Sequence, residues 1–597
     1  MQEDDVNRCG YHGAYISVDA TTGTSSQSSL TESILRRFPG GSALGTHLLL
    51  EHHAWQHDPL SAESSLVFAF SPLVGSPLTT SAKFAVVSRS PLTGRLNDSL
   101  ASSTFALAGK RSGNDAILIT GKSKTPCILV IDDQQTRKLP ADHLWGLSAE
   151  DAEARLKKQF DGGHHFAVIG PAGEQQVSYA TISHNGRHAG RGGSGAVLGG
   201  KRVKAVVVAG NQRTAWANTD GLVKRAKQLS DLSFGPATEK YRELGTAANL
   251  LVFNRLHCLP TRNFQRGSFA NSDQFSPEAL GAARNKTRTS CAACTIGCTH
   301  LYSTNSPTSN RNVRIEYENI YALGPLCDVQ DPEAVLQASQ RCDELGIDTI
   351  STGGTIAFAM ECVERGFLNE TWLRFGDGAA LLEAIHLIGT GAGLGKLLRQ
   401  GSRAMANIIG HNSIEFAPQV KGLEIPGYEP RALQTMALGF AVGTRGADHN
   451  RSGAYEIDFS DAADRRNGTA AAARLAVDTE DKAAIMDSLI LCKFLRGVFS
   501  DYFGETAELL NLVTGWNFDK AGMQVMAQGI INAKKEFNIR CGWTPAEDTL
   551  PHRMLNSVLR DDPTAQLNTQ TLQTMITAYN LKRGWTADGY LDGISSK

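Results

Sequence analysis

Short apolar runs that end in turn residues dominate the first 215 residues of the chain. Each run has the length and the β-branched content of a strand, and glycine, proline or aspartate follows it. The pattern predicts a β-rich N-terminal domain over residues 1–215, interrupted by a few helical patterns. The runs are SSLVFAFSPLVG, KFAVVSRSPLTG, DAILITGK, CILVIDD, HFAVIGPAG and KAVVVAGN.

The remaining sequence follows a helical period. Asp331–Pro332 provides an N-cap and a first-turn proline, and Gly346 provides a stop, so we predict one helix between them. Proline and glycine in FAPQVKGLEIPGYEP mark a further boundary, giving mainly helical domains over residues 216–415 and 416–597. The expected class is α+β. The helical stretches are GLVKRAKQLSDL, DPEAVLQASQRCDELG, TIAFAMECVERG, GAALLEAIHLIG, RALQTMALGFAVG, DKAAIMDSLILCKFLRGVF and AGMQVMAQGIINAKKEF.

Composition and charge narrow the possible partners. A chain of 597 residues exceeds one hydrophobic core, so about two to four domains are expected. The net charge of −1 gives no reason to expect nucleic acid or an anionic membrane as partner. The start MQEDDVNRCG does not resemble a signal peptide, and no apolar window is long enough to span a bilayer. We therefore expect a cytoplasmic enzyme.

The stretch SCAACTIGCTH places Cys291, Cys294 and Cys298 in a C-x2-C-x3-C pattern. The other eight of the eleven cysteines are scattered, which is typical of a reducing compartment rather than of a disulfide framework. The three thiols fit a zinc site with His300, a [4Fe–4S] cluster with a remote fourth cysteine, or no metal at all. Cys492 is the remote candidate, although on its own it reads as a core cysteine.

Two stretches share one sequence pattern, and Cys492 lies in the second of them, which favours a functional role for this cysteine. DELGIDT (343–349) and DSLILCK (487–493) both follow amphipathic helical segments and both fit Asp-x-x-x-aliphatic-(Asp/Cys)-x. Paired elements of this kind suggest a roughly two-fold site for a roughly two-fold ligand.

With these motifs the chain resembles the aldehyde ferredoxin oxidoreductase family, tungsten enzymes with a bis-pterin cofactor beside one [4Fe–4S] cluster. The resemblance implies a three-domain protein whose N-terminal domain is the base for the cofactor. Cys291, Cys294, Cys298 and Cys492 would then ligate the cluster. Other strings that resemble family landmarks, in family order, are DPLSAESSLVFAFSPLVG, SPLTG, IGPAGE, AGRGGSGAVLGGKRVKA, LPTRNFQ, EYENIYALG, VKGLEIPGYEPR and GTRGADH.

The resemblance also implies roles for individual residues. Glu316 and His449 would be the acid–base pair nearest the metal, with Glu318 as a competitor for Glu316. Tungsten or molybdenum would be held by the pterin dithiolenes, and magnesium would bridge the pterin phosphates. The residues expected to contact this cofactor are Lys83, Arg191, Gly192, Asp343, Ile347, Asp348, Thr349, Arg451, Asp487, Leu491 and Lys493.

The expected activity is interconversion of an aldehyde and its acid, with electrons passed to ferredoxin or a ferredoxin-like subunit. A homodimer is a further expectation from the resemblance. The alternatives are the catalytic subunit of a larger reductase acting on an aromatic acyl thioester, and a non-catalytic iron–sulfur scaffold. Three departures from the family pattern put details of the cofactor seat in question. Ile490 stands where glycine is usual, Ser42 stands where arginine is usual, and residues 100–103 replace an Asn- and Gly-rich turn.

Overall fold

A computed structural model describes residues 9–132, 135–305 and 312–594, and its N-terminal part contains two six-stranded sheets. All six apolar runs are strands, as predicted, namely β3, β4, β6, β7, β9 and β12. The strands are β1 (Ala14–Asp19), β2 (Ser25–Ser29), β3 (Leu66–Ala69), β4 (Lys83–Arg89), β5 (Leu96–Ser102), β6 (Ala116–Thr120), β7 (Cys127–Ile131), β8 (Thr136–Pro140), β9 (His165–Val168), β10 (Ile182–His184), β11 (Arg187–Ala189) and β12 (Val203–Val208).

The sheets have the strand orders β2-β1-β6-β3-β4-β5 and β11-β10-β9-β12-β7-β8. The β1–β6 and β7–β12 pairs are parallel, and the other pairs are antiparallel. Central strands are buried on both faces, which is why they read as continuous apolar runs rather than as alternating ones. The mixed sheets confirm the β-rich N-terminal region.

Within the described residues, six helices lie among the strands of the N-terminal region and the others dominate the rest of the chain, which confirms the α+β class. They are α1 (Glu32–Arg37), α2 (Gly41–Glu51), α3 (Thr104–Arg111), α4 (Ala149–Gln159), α5 (Pro171–Glu174), α6 (Ser194–Gly200), α7 (Thr219–Ser233), α8 (Pro236–Leu244), α9 (Leu250–Arg255), α10 (Pro277–Ala283), α11 (Tyr317–Leu323), α12 (Pro332–Leu345), α13 (Thr349–Glu364), α14 (Gly378–Thr390), α15 (Gly395–Leu398), α16 (Ser402–Ile409), α17 (Gln434–Val442), α18 (His449–Ser452), α19 (Tyr455–Asp458), α20 (Ala470–Leu489), α21 (Tyr502–Thr514), α22 (Lys520–Arg540), α23 (His552–Asn556) and α24 (Thr569–Lys582).

The N-terminal region is layered. One face of the first sheet packs against one face of the second across α3 and α6, where Phe68, Phe84 and Phe105 are at most 1% exposed. Burial of one such ring contributes about 1.5–3 kcal/mol. The opposite face of the first sheet is covered by α2, and the opposite face of the second by α4. The sheets therefore form a rigid base for whatever lies on them.

The ends of α12 and α20 compare differently with the helices predicted from the sequence. Helix α12 begins and ends as predicted, with Asp331 as N-cap and Gly346 as a left-handed C-cap. The helix predicted through DSLILCKFLRGVF is wrong in its second half, because α20 ends at Leu489. Ile490 adopts φ 60° and ψ 47°, and this left-handed residue turns the chain out of the helix.

A small sheet was missed within the helical region. Strands β13 (Lys286–Thr289), β14 (Thr299–Ser303) and β15 (Asn312–Arg314) form an antiparallel sheet, and the loop between β13 and β14 carries three cysteines. All four residues of β13 are polar and exposed, so no apolar alternation predicts this strand. The hairpin β16 (Gln419–Val420) and β17 (Leu423–Glu424) lies in the stretch predicted as a boundary.

One continuous hydrophobic core joins helices from residues 216–415 with helices from residues 416–597. The domain boundaries predicted near 215 and 415 stay predictions. Within the described ranges, no helix combines the length and the apolarity that crossing a bilayer requires.

Candidate active site

A cavity with a volume of about 970 Å³ lies where β4, β5 and the loop before α6 meet the helical region. Most of the predicted site residues line it. Gly192, Cys294, Arg451, Asp487 and Leu491 are absent from its lining. The predicted residues that line it are Lys83, Arg191, Cys291, Cys298, Glu316, Asp343, Ile347, Asp348, Thr349, His449, Cys492 and Lys493.

The four predicted cluster cysteines lie close enough to influence one another. Burial raises the pKa of Cys298, and the nearby Cys492, Cys291 and Cys294 thiols add to the rise. The pKa of Cys294 is raised in the same way, with Cys492 again the largest charge effect. Each of the four thiols is partly buried. The chain therefore brings Cys492 to the C-x2-C-x3-C loop across almost two hundred residues of sequence.

Thr80 holds these two segments together, and sequence reasoning missed it. Its amide donates to the carbonyl of Ala293 at 2.5 Å, and its hydroxyl accepts the amide of Cys492 at 3.2 Å. Beside it, the hydroxyl of Thr79 accepts the amide of Thr295 at 3.1 Å. The N-terminal domain thus fixes both parts of the cysteine site through short polar contacts.

The surroundings of the cysteine loop bear on the choice between a zinc ion and a cluster. Across residues 9–132, 135–305 and 312–594, no three His, Cys, Asp or Glu side chains form a set that could hold one metal ion. His300, the alternative fourth zinc ligand, is buried, and its Nε2 lies 3.0 Å from the carbonyl oxygen of Arg242. Because each thiolate of a cubane binds a different iron, four gathered but separate thiols fit a [4Fe–4S] cluster.

The two predicted Asp motifs form the same turn. In the first, the amide of Ile347 donates to the carbonyl of Cys342, and in the second the amide of Leu491 donates to the carbonyl of Met486. Each is the long hydrogen bond of a Schellman motif, five residues back along the chain. The left-handed residue is Gly346 in one turn and Ile490 in the other.

Each turn carries its own ion pairs. Asp343 Oδ1 lies 3.2 Å from His188 Nε2, and the Asp343 side chain is 36% exposed. Asp487 is buried and pairs with Lys493 at 2.9 Å and with Arg451 at 3.1 Å. The first carboxylate therefore faces the cavity, and the second lies behind its wall.

Next to each turn lies a second contact with the N-terminal base. Arg191 Nε donates to Asp348 Oδ2 at 3.3 Å, while its two amino groups donate to the carbonyls of Ala447 and Glu424. Lys83 Nζ donates to the carbonyl of Leu491 at 3.5 Å. Gly192 itself packs away from the cavity, since a Cβ there would lie 2.1 Å from Asn97 Oδ1.

Behind the second turn, Asp98 is a buried anion that sequence reasoning missed. Arg451, Lys534 and Arg445 surround it, at 2.9, 2.7 and 3.9 Å, and they hold the pKa of its carboxyl well below the usual range despite burial. Ser42, where arginine is usual in the family, donates its hydroxyl to Asp98 at 2.8 Å. With three cations already present, this carboxylate needs no fourth.

Cationic side chains face the cavity near the first turn. Arg314 is partly buried, its Nε has no hydrogen-bond partner among the described residues, and desolvation together with the nearby Arg187 lowers its pKa. His188 lies between them and Asp343 on the same lining. The HNGRHAGRGG stretch, with three Arg or His residues within five positions, is the sequence signal for this cationic surface.

The structure gives the two candidate carboxylates different surroundings. Glu316 caps α11, where its side chain accepts the backbone N–H of Asn319, and it lies close enough to Cys298 to raise that thiol's pKa. Glu318 lies two residues further along the chain, and its carboxylate accepts the amide of Gly427 at 3.0 Å. Burial raises the pKa of Glu318 to about 8.

Glu318 faces His449. Oε1 of Glu318 and Nδ1 of His449 are 3.7 Å apart, and neither atom has a hydrogen-bond partner among the described residues. Asn450 Nδ2 lies 2.9 Å from His449 Nε2, and an amide donor there leaves the ring hydrogen on Nδ1. Burial lowers the pKa of His449 to about 3, so its imidazole is neutral at pH 7.

Comparison with known proteins identifies the class that the fold and site define. The family model described as "Aldehyde ferredoxin oxidoreductase, N-terminal domain" matches residues 15–210, and the one for "domains 2 & 3" matches residues 224–593. The chain belongs to the aldehyde ferredoxin oxidoreductase family, as its sequence predicted.

Individual relatives support the same family assignment. The tungsten-containing aldehyde ferredoxin oxidoreductases of Thermococcus kodakarensis and Pyrococcus furiosus are each 34% identical to this chain, over 97% of both chains. The WOR-like subunit of aliphatic sulfonate oxidoreductase from Pyrococcus furiosus is 28% identical over 85% of this chain and 82% of its own. These relatives support an oxidoreductase.

A solved structure shows the same fold. The active-site complex BamBC of benzoyl coenzyme A reductase in complex with 1,5-dienoyl-CoA superposes with a TM-score of 0.82 and 21% identity, covering 98% of this chain and 96% of that one. Enzymes of the family use a tungsten bis-pterin and a [4Fe–4S] cluster. The gathered thiols and the cationic side chains of the cavity fit both groups.

Proposed function

We propose that this chain interconverts an aldehyde and its carboxylic acid at a tungsten or molybdenum bis-pterin centre. Cys291, Cys294, Cys298 and Cys492 would hold a [4Fe–4S] cluster, which would supply one-electron transfer to ferredoxin or a similar carrier. The observation that carries the proposal is the facing pair of buried, unpartnered atoms on Glu318 and His449 at the cavity wall. Such a pair suits proton transfer to and from a substrate placed beside it.

The net reaction converts an aldehyde and water to an acid, two protons and two electrons. The bound metal centre would accept the electron pair and tune the reacting carbon. Ionised Glu318 would take a proton from water at Oε1, because Gly427 occupies Oε2. His449 would donate from Nδ1 to the carbonyl oxygen, because Asn450 occupies Nε2. The neutral imidazole favours this donor role without a buried charge.

The cofactor contacts are part of the same proposal. Arg187, His188 and Arg314 would face phosphate on the side of the first turn, and Lys83 and Lys493 on the side of the second. Arg451 and Asp487 would support these contacts from behind the cavity wall. Magnesium stays a prediction from the resemblance, because the buried Oδ1 of Asn97 faces Gly192 and lies outside the cavity lining.

The test is aldehyde-dependent reduction of a viologen dye by protein with verified metal content. Glu318→Gln should retain metal and cluster and lose about 10²–10⁴-fold in turnover, the usual contribution of a positioned base. Glu316→Gln is the matched control, because Glu316 was the carboxylate predicted from the sequence, and its loss should be milder. Normal turnover in Glu318→Gln with a large loss in Glu316→Gln would restore the sequence-based assignment.

The same assignment predicts a pH profile. Because the pKa of Glu318 is raised to about 8, its base form accumulates as pH rises, so kcat/KM should increase up to about pH 8. His449 stays neutral over that range. Glu318→Gln should flatten the rise, and an unchanged profile would contradict the role. The groups that face Glu318 are Arg191, Tyr317, Tyr321, Asp348, Tyr428, Asp448 and His449.

A second candidate is the catalytic subunit of a larger reductase acting on an aromatic acyl thioester. One observation favours it: Phe253, Tyr428, Tyr455 and Phe459 line the cavity and would suit an aromatic ring. Turnover of free aldehydes in the absence of any partner subunit supports the first function. Activity confined to the thioester supports the second.

A further inference from the structure

Aromatic side chains form a wall beside the Glu318–His449 pair. The ring of Tyr428 stacks on His449 at 4.8 Å and on Tyr455 at 5.2 Å, with interplanar angles of 28° in both pairs. Phe253 meets Tyr428 edge to face at 5.3 Å. All of these rings line the cavity. The wall therefore begins at the proposed reacting position.

The same wall continues outward to solvent. Phe459 stacks on Phe253 at 5.2 Å and 8°, and it is 41% exposed. Val252 lines the cavity next to it and is 50% exposed. An exposed apolar edge that continues the wall of a cavity is typical of a ligand-binding groove. The rings thus mark a path from the surface to His449.

The cation beside this path is paired. Arg496 is engaged by Glu456 and by the hydroxyl of Tyr455. Its guanidinium also lies 5.4 Å from the Tyr455 ring centroid. The wall therefore offers flat π faces and neutral edges, which select an uncharged planar group rather than an anion.

We propose that Phe253, Phe459, Tyr428 and Tyr455 bind the aromatic ring of the substrate and set a preference for aromatic over short aliphatic substrates. The inference deepens the proposed function, on which the identity of the reacting group rests. A ring stacked on Phe253 and Phe459 places its substituent carbonyl toward Glu318 and His449. The ring can arrive on a free aldehyde or on an acyl thioester, and the probes below separate these sources.

The kinetic test uses Phe459→Ala, because Phe459 is half exposed and its loss should leave the fold intact. We expect kcat/KM for benzaldehyde to fall about tenfold, equivalent to about 1.4 kcal/mol, and that for propionaldehyde to change less than about twofold. Phe459→Tyr should restore the preference, and Phe253→Leu should weaken it. The matched control is Phe234→Ala, a phenylalanine that is 57% exposed and absent from the cavity lining. Equal losses for both substrates would overturn the proposal.

Binding provides a readout independent of turnover. Calorimetry on the purified protein should show tighter binding of benzoate than of cyclohexanecarboxylate, which has the same charge and a similar size but no π face. Phe459→Ala should abolish the difference, and equal affinities in the wild type would overturn the ring site. Benzoyl coenzyme A is the third probe. If it alone binds in a Phe459-dependent way and no aldehyde is oxidised, the ring site stands and the aldehyde function fails.

Discussion

The turns at 343–349 and 487–493 share one backbone conformation and differ in almost every side-chain contact. Both close a helix with a Schellman hydrogen bond and a left-handed residue. Asp343 faces the cavity and pairs with one histidine, whereas Asp487 is buried between Lys493 and Arg451. The sixth position is Asp348, bonded to Arg191, in one turn and Cys492, at the cysteine site, in the other. The motif thus predicts the turn, and the surroundings determine what each side chain does.

The largest expected difference between the two turns concerns the sixth residue of the motif, which is Asp348 in one turn and Cys492 in the other. Cys492→Ala should remove or degrade the cluster, because a thiolate ligand is lost, while Asp348→Asn should leave iron content unchanged. Cys291→Ala should give the same loss as Cys492→Ala, since we propose that both bind one cluster. Iron content and visible absorption measure the effect. A full, unaltered cluster in Cys492→Ala would break the four-ligand assignment.

Substitution of the first residue of the motif, Asp343 or Asp487, should lower the free energy of unfolding by different amounts in the two turns. Asp487→Ala leaves the partly buried Arg451 and Lys493 with one carboxylate fewer, so we expect a loss of up to about 3–5 kcal/mol. Asp343→Ala should cost no more than about 1 kcal/mol, because that carboxylate is more than one third exposed and solvent screens its pair. Both variants should contain less pterin, and the cluster should survive better in Asp343→Ala. Thermal unfolding and pterin analysis check these outcomes, and equal pterin content in all three proteins would argue against a bis-pterin site.

Substitutions at the left-handed residue of each turn, Gly346 or Ile490, should change the free energy of unfolding only slightly. Gly346→Ala should destabilise by about 1–2 kcal/mol, because φ 73° is unfavourable for a residue with a Cβ. Ile490→Gly relieves the same strain but removes a fully buried side chain, and the loss of burial outweighs the relief. We expect a net destabilisation of about 1 kcal/mol. A more stable Ile490→Gly would mean that the strain, not the packing, dominates this turn.

The sequence predicted those parts of the molecule that local pattern determines. Six buried strands and the caps of α12 follow from apolar runs, proline and glycine. The end of α20 at Leu489 was missed, because a β-branched residue in the left-handed region is rare and tertiary packing of Ile490 enforces it. Strand β13 was missed because its side chains are all exposed.

Candidate site residues divide in the same way. The cysteines and the Asp motifs are recognisable because their spacing is part of their chemistry. Thr80, Asp98 and Arg314 carry no motif, and only the fold brings them to the cysteines, to Arg451 and to the cavity. Glu316 and Glu318 are two residues apart and equivalent in sequence, so only the contact with His449 distinguishes them.

The central claim is that these two turns and the cysteine loop hold one pterin-bound metal and one iron–sulfur cluster. Metal analysis of the anaerobically purified chain tests it most directly. We expect roughly four irons and about one tungsten or molybdenum per chain, in line with a single [4Fe–4S] cluster. One zinc and no iron per chain would contradict it, as would iron without either heavier metal.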